Sequence, residues 1–179
     1  MKNLYLIRVK QEYIKYLKSF DANVQDNANE KKNKPYLGVL LQKEEQKYFV
    51  PLSSPKRKHQ KFIEMERMGK IPIDVFLIKE RNNTEKIIGV LNINNMIPIT
   101  DEVIEYFNIK EDKDYGLLQK EHIYCIKNQT EIIKRANKVY DLVTKHNKSS
   151  LIKRSCNFKL LEIKSKEYIN DGSTRKKLT

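Results

Sequence analysis

The stretch KYFVPLSSPKRKH, residues 47–59, changes in its middle from an alternating apolar pattern to a basic, hydroxyl-rich one. Tyr48, Val50 and Leu52 stand at every second position, which is the period of a β-strand with one buried face. Ser54 is a residue type common at helix N-caps, and Pro55 suits the first helical position because its missing N–H needs no partner there. The stretch therefore predicts a strand that runs directly into the start of a helix.

The predicted junction also concentrates groups that bind anions. A helix start presents unpaired backbone N–H groups and the positive end of the helix dipole. Ser53 and Ser54 add two hydroxyls, and three cations follow, namely Lys56, Arg57 and Lys58. The local pattern leaves two interpretations open: an ordinary cap on a helix with a solvated basic face, or a phosphate-binding site.

The composition favours a polyanionic partner. The 179 residues include 36 Lys and Arg against 23 Asp and Glu, which gives a formal net charge of +13. Such a charge promotes binding to RNA, DNA or an anionic membrane surface through counterion release. No apolar run approaches the roughly 20 residues that span a bilayer, and the first ten residues lack a secretory pattern. We therefore predict a cytoplasmic protein without a membrane partner.

The cysteines and histidines give no sign of a metal site. Cys125 and Cys156 lack metal-ligand spacing and are predicted to be free thiols of a reducing compartment. His59, His122 and His146 are far apart, and neither HExxH nor CxxC occurs. The sequence predicts no metal and no cofactor.

Hydrophobic periodicity predicts a mixed α+β fold. Strands are expected at residues 4–9, 36–41, 47–52, 73–78, 87–92 and 156–163, with the 94–99 segment at a sheet edge or strand end because of its proline. Helices are expected at residues 13–20, 55–68 and 101–107 and over most of 115–146, as one helix or as two with a break near Asn128. The predicted architecture is an antiparallel, twisted sheet with helices packed around it, formed by a single domain 1–169 and followed by a disordered tail 170–179.

These features together indicate metal-independent RNA cleavage, because RNA carries its own nucleophile, the 2′-OH. The protein need only align that hydroxyl, stabilise the developing charge and assist the leaving 5′-oxygen. Lys56 and backbone N–H groups are candidates for charge stabilisation, and Ser54 for a phosphate contact or a proton relay. Lys34, at the end of the long polar segment 22–34, is a candidate for a second cation. His59 is either a general base or a structural residue.

The aromatic residues of the first predicted helix also have two interpretations. Tyr13 and Tyr16 stand at helical spacing, which is typical of core residues, but a tyrosine at the edge of such a helix can stack on an unpaired base.

Several blocks resemble ToxN and AbiQ, the ribonuclease toxins of type III toxin–antitoxin and phage abortive-infection systems. The blocks occur in the order of that family and extend to about residue 163: YIKYL with FD, Lys34 with YLGV, Tyr48 with PLSSPK, His59, NMIPI, and CNFKLLE. PLSSPK and CNF are the distinctive ones.

The resemblance implies a compact, highly twisted antiparallel sheet, similar to the small barrel of the MazF and Kid toxins, with surrounding helices. It implies a sequence-selective endoribonuclease that cuts A-rich single-stranded RNA without metal and leaves a 2′,3′-cyclic phosphate and a 5′-OH. It also implies inhibition by a small repeated pseudoknot RNA, which the toxin processes and holds in a closed protein–RNA assembly. Cellular and phage mRNAs are the implied substrates, in plasmid maintenance or phage defence.

The matching motifs also imply roles for individual residues. Ser54 takes the place of the family's catalytic serine, with Ser53 beside it and Lys56 as the active-site lysine. Lys34 and Tyr13 match positions that line the RNA groove. We add three RNA contacts from the same basic stretch, which are Arg57, Lys58 and His59.

Two other classes of protein are consistent with part of this pattern. A non-catalytic basic RNA-binding protein would explain the charge and the predicted junction equally well. A helix-turn-helix repressor would need two short adjacent helices, and the strand predicted before residue 55 argues against a DNA partner of that type.

Overall fold

A computed structural model describes residues 4–25, 35–105, 107–146 and 149–176, with side chains described as far as Asn170. The strands are β1 (Tyr5–Val9), β2 (Tyr36–Lys43), β3 (Gln46–Ser53), β4 (Val75–Glu80), β5 (Asn83–Asn92), β6 (Ile97–Ile99) and β7 (Ile104–Glu105). The helices are α1 (Gln11–Phe20), α2 (Lys61–Arg67), α3 (Tyr115–Lys127), α4 (Gln129–Thr144), α5 (Ser149–Ile152) and α6 (Phe158–Lys176). Single 3₁₀ turns occur at Arg57–His59, Ile93–Asn95, Asp101–Val103 and Ile109–Glu111. The predicted α+β class is confirmed.

The sheet is antiparallel throughout and has β3 near its centre. Its strand order is β4-β5-β3-β2-β1-β7, and β6 pairs separately with β3. On one side β3 pairs with β2, while on the other its first half pairs with β6 and its end pairs with β5. Because the partner of β3 changes along its length, the sheet divides there, and no pairing among the described residues joins β4 to β7. The twisted antiparallel sheet is confirmed, but it is open and does not close into the predicted small barrel.

The core lies between this sheet and the helices and is rich in large aromatic residues. Tyr36, Tyr48, Phe49 and Phe158 are among the fully buried side chains. Gly38 of β2 lies under the Phe49 ring of β3, so that even a Cβ atom at residue 38 would overlap the ring. This close approach explains why glycine stands in the middle of a central strand.

Tyr13 belongs to this core, and the predicted RNA contact is therefore wrong. Its side chain is 0% exposed, and its hydroxyl donates to the carbonyl oxygen of Pro98 (2.7 Å) and lies 2.9 Å from Ser165 Oγ. The ring also packs edge-on against Tyr168, with centroids 5.1 Å apart. Tyr13 connects α1 to β6 and α6, and neither its ring nor its hydroxyl is available to a ligand.

The strand predicted at 156–163 is wrong, because these residues begin helix α6. Phe158, Leu161 and Ser165 are buried at positions i, i+3 and i+7, which is a helical face. Ile163, the last residue of the predicted strand, is 55% exposed. The helix continues to Lys176 and so includes part of the predicted tail. The domain boundary at residue 169 stays a prediction.

The junction after β3 also differs from the prediction. β3 ends at Ser53, and Lys56 has an extended backbone (φ −112°, ψ 157°) and is the N-cap of the 3₁₀ turn. Ser54 is therefore not a helix cap, and α2 starts only at Lys61 and is seven residues long. The helix start predicted at residue 55 is therefore wrong. The predicted end is confirmed, since Gly69 has a left-handed φ of +66° after α2.

Two smaller differences concern the second half of the chain. The helix predicted at 101–107 is a single 3₁₀ turn followed by the two-residue strand β7. The 115–146 region forms two helices that meet at Asn128, as one of the two predicted alternatives has it. None of the helices in the described ranges combines the length and apolar composition needed to cross a bilayer.

Candidate active site

A cavity of about 950 Å³ opens beside the end of β3. The described residues that line it are Lys18, Ala22, Asn23, Val24, Gln25, Ser53, Ser54, Lys56, Lys58, His59, Phe62, Pro72, Asp74, Val75, Asn92, Asn94, Asn95 and Arg154. The structure thus brings together most of the site residues that the sequence predicts. The described lining does not include the exposed Arg57, and Lys34 lies outside the described residues.

The end of β3 positions the two serines. Ser53 is the last residue of the strand and pairs with Val90 of β5, which fixes its backbone at the rim of the sheet. Ser54 and Lys56 follow immediately and are exposed along the cavity. Pro55 between them restricts the backbone of Ser54 to extended conformations. The hydroxyls and the ammonium group therefore leave the sheet on a short, conformationally restricted segment.

His59 stabilises this segment through two hydrogen bonds to Lys56. The imidazole Nδ1 of His59 accepts a hydrogen bond from the backbone N–H of Lys56 (3.0 Å), and the backbone N–H of His59 donates to the Lys56 carbonyl oxygen (2.8 Å). The side chain is 3% exposed and stacks on Phe62. Burial, and then the charges of Lys58 and Lys56, lowers the pKa of His59.

This geometry decides between the two roles that the sequence left open for His59. A backbone N–H can only donate, so the neutral ring must carry its proton on Nε2. The Nδ1 lone pair is already occupied, and the remaining nitrogen is a donor. In this arrangement His59 supports Lys56 and offers the cavity an N–H group, and it is not placed as a general base.

Next to Ser53 the lining contains two amide side chains, those of Gln25 and Asn95, that sequence reasoning missed. Ser53 Oγ lies 3.4 Å from Gln25 Oε1, Gln25 Nε2 donates to Asn95 Oδ1 (3.1 Å), and Asn95 Nδ2 donates to the carbonyl oxygen of Asn23 (2.9 Å). Asn95 belongs to one of the blocks that carry the family resemblance, so a signal was present for it. Gln25 lies in a polar segment without periodicity, where nothing in the sequence distinguishes it.

The cavity is positively charged, and the carboxylate in its described lining is already paired. Lys18, Lys56 and Lys58 contribute three ammonium groups, while Arg154 makes a bidentate ion pair with the buried Asp74 (2.8 Å for both bonds). No group of three or more His, Cys, Asp or Glu side chains within the described ranges is arranged to hold a metal ion.

The cysteines do not belong to the described lining of the cavity, although the thiol of Cys156 interacts with the side chain of Asn95 behind it. Cys125 and Cys156 are buried free thiols, as predicted, and burial raises the pKa of both.

This arrangement suits a phosphodiester. Ammonium groups and hydroxyls at the end of one strand can bind the non-bridging oxygens and stabilise additional negative charge as a pentavalent phosphorus forms. The amide side chains of Gln25 and Asn95 can form hydrogen bonds with polar groups of the ribose or the base.

The chain matches a family model described as toxin ToxN of type III toxin–antitoxin systems over residues 5–166. It is 33% identical over 170 residues to endoribonuclease ToxN of Bacillus thuringiensis subsp. kurstaki, an alignment that covers 89% of this chain and 81% of the relative. It is 34% identical over 167 residues to endoribonuclease AbiQ of Lactococcus lactis subsp. lactis, with 89% and 86% covered.

Solved structures agree with these matches. AbiQ, a lactococcal anti-phage endoribonuclease of a type III toxin–antitoxin system, has a TM-score of 0.79 and 28% identity, covering 94% of this chain and 99% of AbiQ. A toxin from a type III system, selectively inhibited by a non-coding RNA pseudoknot, has a TM-score of 0.77 and 28% identity, covering 93% and 98%. The resemblance found in the sequence is confirmed: the chain belongs to the ToxN family of type III toxin–antitoxin systems, a family of endoribonuclease toxins.

Proposed function

We propose that this chain cleaves A-rich, single-stranded RNA in the cavity beside β3 by a metal-independent reaction. The observation that carries the proposal is the position of Ser53, Ser54 and Lys56 together at the end of one central strand, in a cavity with further cations. The formal charge of +13 supports a polyanionic substrate.

The proposed reaction needs no co-reactant. The 2′-oxygen attacks the adjacent phosphorus, the bond from phosphorus to the 5′-oxygen breaks, and the products are a 2′,3′-cyclic phosphate and a 5′-OH. The proton that leaves the 2′-oxygen is balanced by the proton that the 5′-oxygen gains. Lys56 stabilises the charge on the phosphorane, and Ser54 donates a hydrogen bond to a non-bridging oxygen. Lys58, Arg57 and Lys34 bind neighbouring phosphates of the strand.

The proposed partner is a small repeated pseudoknot RNA that the toxin processes from a precursor and holds in a closed assembly. Support comes from the structural neighbour that is inhibited by a non-coding RNA pseudoknot. Cellular and phage mRNAs are the proposed substrates, in the cytoplasm, for plasmid maintenance or phage defence. The latter role has support from the anti-phage activity of AbiQ.

The chemistry can be tested with an A-rich RNA oligonucleotide incubated with and without EDTA and analysed by mass spectrometry. We expect equal cleavage in both samples, a cyclic phosphate on the upstream fragment, and resistance when the residue 5′ to the cut is 2′-deoxy. Loss of cleavage in EDTA, or a 5′-phosphate on the downstream fragment, would contradict the mechanism. Tight binding without cleavage would instead favour a non-catalytic RNA-binding protein.

The site can be tested by growth after induced expression. Ser54→Ala should remove toxicity and lower the cleavage rate by about 10²–10³-fold, the usual cost of losing one donor to a transition-state oxyanion. Ser19→Ala is the matched control, because Ser19 is exposed on α1 and its hydroxyl donates to the carbonyl oxygen of Tyr16 in the same helix. A Ser54→Ala protein with native circular dichroism and full toxicity would contradict the assignment.

A further inference from the structure

A chain of hydrogen bonds connects Asn23 through Asn95 and Gln25 to Ser53. Only one assignment of donors and acceptors satisfies every bond in it. The backbone carbonyl of Asn23 can only accept, so Asn95 must direct its NH₂ group toward it (2.9 Å) and its Oδ1 toward Gln25. Gln25 must then donate through Nε2 to that oxygen (3.1 Å). The remaining amide oxygen of Gln25 therefore faces Ser53, and neither amide can be reversed without opposing two donors or two acceptors.

Ser53 is the end of this chain of hydrogen bonds, the relay, which offers its hydroxyl proton an acceptor in Gln25. Because Gln25 Oε1 can only accept, the hydroxyl of Ser53 donates to it, across 3.4 Å. At 3.4 Å this contact is longer than the usual O–H···O hydrogen bond of about 2.5–3.0 Å. The lone pairs of Ser53 Oγ then remain for a donor in the cavity.

We infer that Ser53 accepts a hydrogen bond from the attacking 2′-OH, and that Gln25 and Asn95 are positioning residues that give Ser53 this polarity. The inference rests on the proposed function. A 2′-OH that donates to Ser53 turns its proton away from phosphorus and directs an oxygen lone pair toward it, which is the orientation that attack requires. The two adjacent serines then have opposite roles: Ser53 accepts from the nucleophile, and Ser54 donates to the phosphate.

The test is a double-mutant cycle on cleavage of an A-rich RNA oligonucleotide. Gln25→Met keeps the length of the side chain but releases the hydroxyl of Ser53. We expect kcat to fall about tenfold or more with KM within about twofold, since the loss concerns orientation. In a Ser53→Ala background the same substitution should change kcat by less than about twofold. Gln119→Met on the exposed face of α3 is the matched control.

A second measurement uses binding alone, in the Ser54→Ala protein. We expect RNA with a 2′-OH at the cut to bind roughly fivefold more tightly than RNA with 2′-deoxy or 2′-methoxy there, because only the hydroxyl can donate to Ser53. Adding Gln25→Met should remove this preference.

The outcomes distinguish a failure of the inferred relay from a failure of the proposed function. If Gln25→Met lowers kcat equally in both serine backgrounds, or has no effect in an active enzyme, the inferred relay is overturned and the proposed function stands. An equal affinity for the three RNAs would overturn it as well. If the wild-type protein cleaves no RNA, the proposed function fails and the inference fails with it.

Discussion

The imidazole of His59 holds the backbone N–H of Lys56 at 3.0 Å, and so ties the proposed active-site lysine to a titratable side chain. The acceptor is the Nδ1 lone pair, which exists only while the ring is neutral. The placement of Lys56 therefore depends on the protonation state of a buried residue that does not itself need to touch RNA.

His59→Asn should preserve function better than His59→Ala. The amide oxygen of asparagine lies close to the position of Nδ1 and can accept the same N–H, whereas alanine leaves that donor without its partner. We expect His59→Ala to lower kcat about tenfold or more and stability by about 1–2 kcal/mol. Thermal unfolding and cleavage assays on both variants measure this. Equal activity of the two would show that the hydrogen bond to Lys56 is not what matters.

The hydrogen bond between His59 and Lys56 also predicts that the stability of the fold decreases at acidic pH. Burial, with Lys58 and Lys56 nearby, lowers the pKa of His59 below its ordinary value of 6.5. Between that value and the lower pKa of the folded state, the unfolded chain binds a proton that the folded chain does not, so stability falls as the pH falls through this window. Above about pH 6.5 this contribution to stability is fully present.

His59→Asn cannot titrate, and it should flatten the acid side of the melting-temperature profile. Lys56 and Lys58 disfavour the imidazolium, and Asp74, the carboxylate in the described lining, is neutralised by Arg154. Melting curves from pH 7.5 to pH 5 for the wild-type protein and the variant give the comparison. Parallel profiles would exclude His59 as the responsible group.

Tyr13→Phe tests the corrected role of that residue. Removing the hydroxyl leaves the carbonyl of Pro98 and the hydroxyl of Ser165 without this buried partner, which should cost about 1–2 kcal/mol of stability. RNA affinity should remain within about twofold, because Tyr13 is enclosed between α1, β6 and α6. Urea unfolding and binding assays measure the two effects. Tyr5→Phe, at an exposed position, is the control. A large loss of RNA binding in a stable Tyr13→Phe protein would restore the predicted groove contact.

Local pattern predicted those parts of the fold that local forces determine. Alternation identified most of the strands, and the left-handed Gly69 identified the end of α2. The strand predicted at 156–163 was wrong because Phe158 and Leu160 stand two apart, as in a strand, while Phe158 and Leu161 stand three apart, as in a helix. Only the buried Ser165 completes the helical face.

The candidate site was predictable only where one short stretch supplied it. Ser53, Ser54, Lys56 and His59 are close in sequence, and the strand places them together. Gln25 and Asn95 are 70 residues apart, and their contact depends on how the segment after α1 crosses the end of the sheet. A polar side chain in such a segment carries no local sign of its partner.

Arg154→Leu should destabilise the wall of the cavity. Asp74 is 2% exposed, and removing its bidentate partner leaves a buried carboxylate without compensation. The usual cost is about 3–5 kcal/mol, and we expect about 2 kcal/mol because the Arg154 side chain is 48% exposed and water can partly replace it. Lys145→Leu breaks a surface ion pair with Asp141 and should cost under about 1 kcal/mol. Denaturant unfolding of the two variants measures the difference. Similar losses would mean that the pair with Asp74 contributes no more than a surface contact.

Lys56→Ala should weaken RNA binding in a salt-dependent way. A cavity that neutralises several phosphates loses affinity steeply between about 50 and 200 mM salt, and each contact to single-stranded RNA contributes about 0.7 to the slope of log K against log salt. Removing Lys56 should reduce that slope by about one contact, and Lys34→Ala should do the same. Lys138→Ala is the matched control, because Lys138 is an exposed lysine of α4 that does not line the cavity. Fluorescence anisotropy with a labelled A-rich RNA at several salt concentrations gives the slopes. If Lys138→Ala lowered the slope as much as Lys56→Ala, the RNA would be bound by the overall charge of the protein rather than by the cavity beside β3.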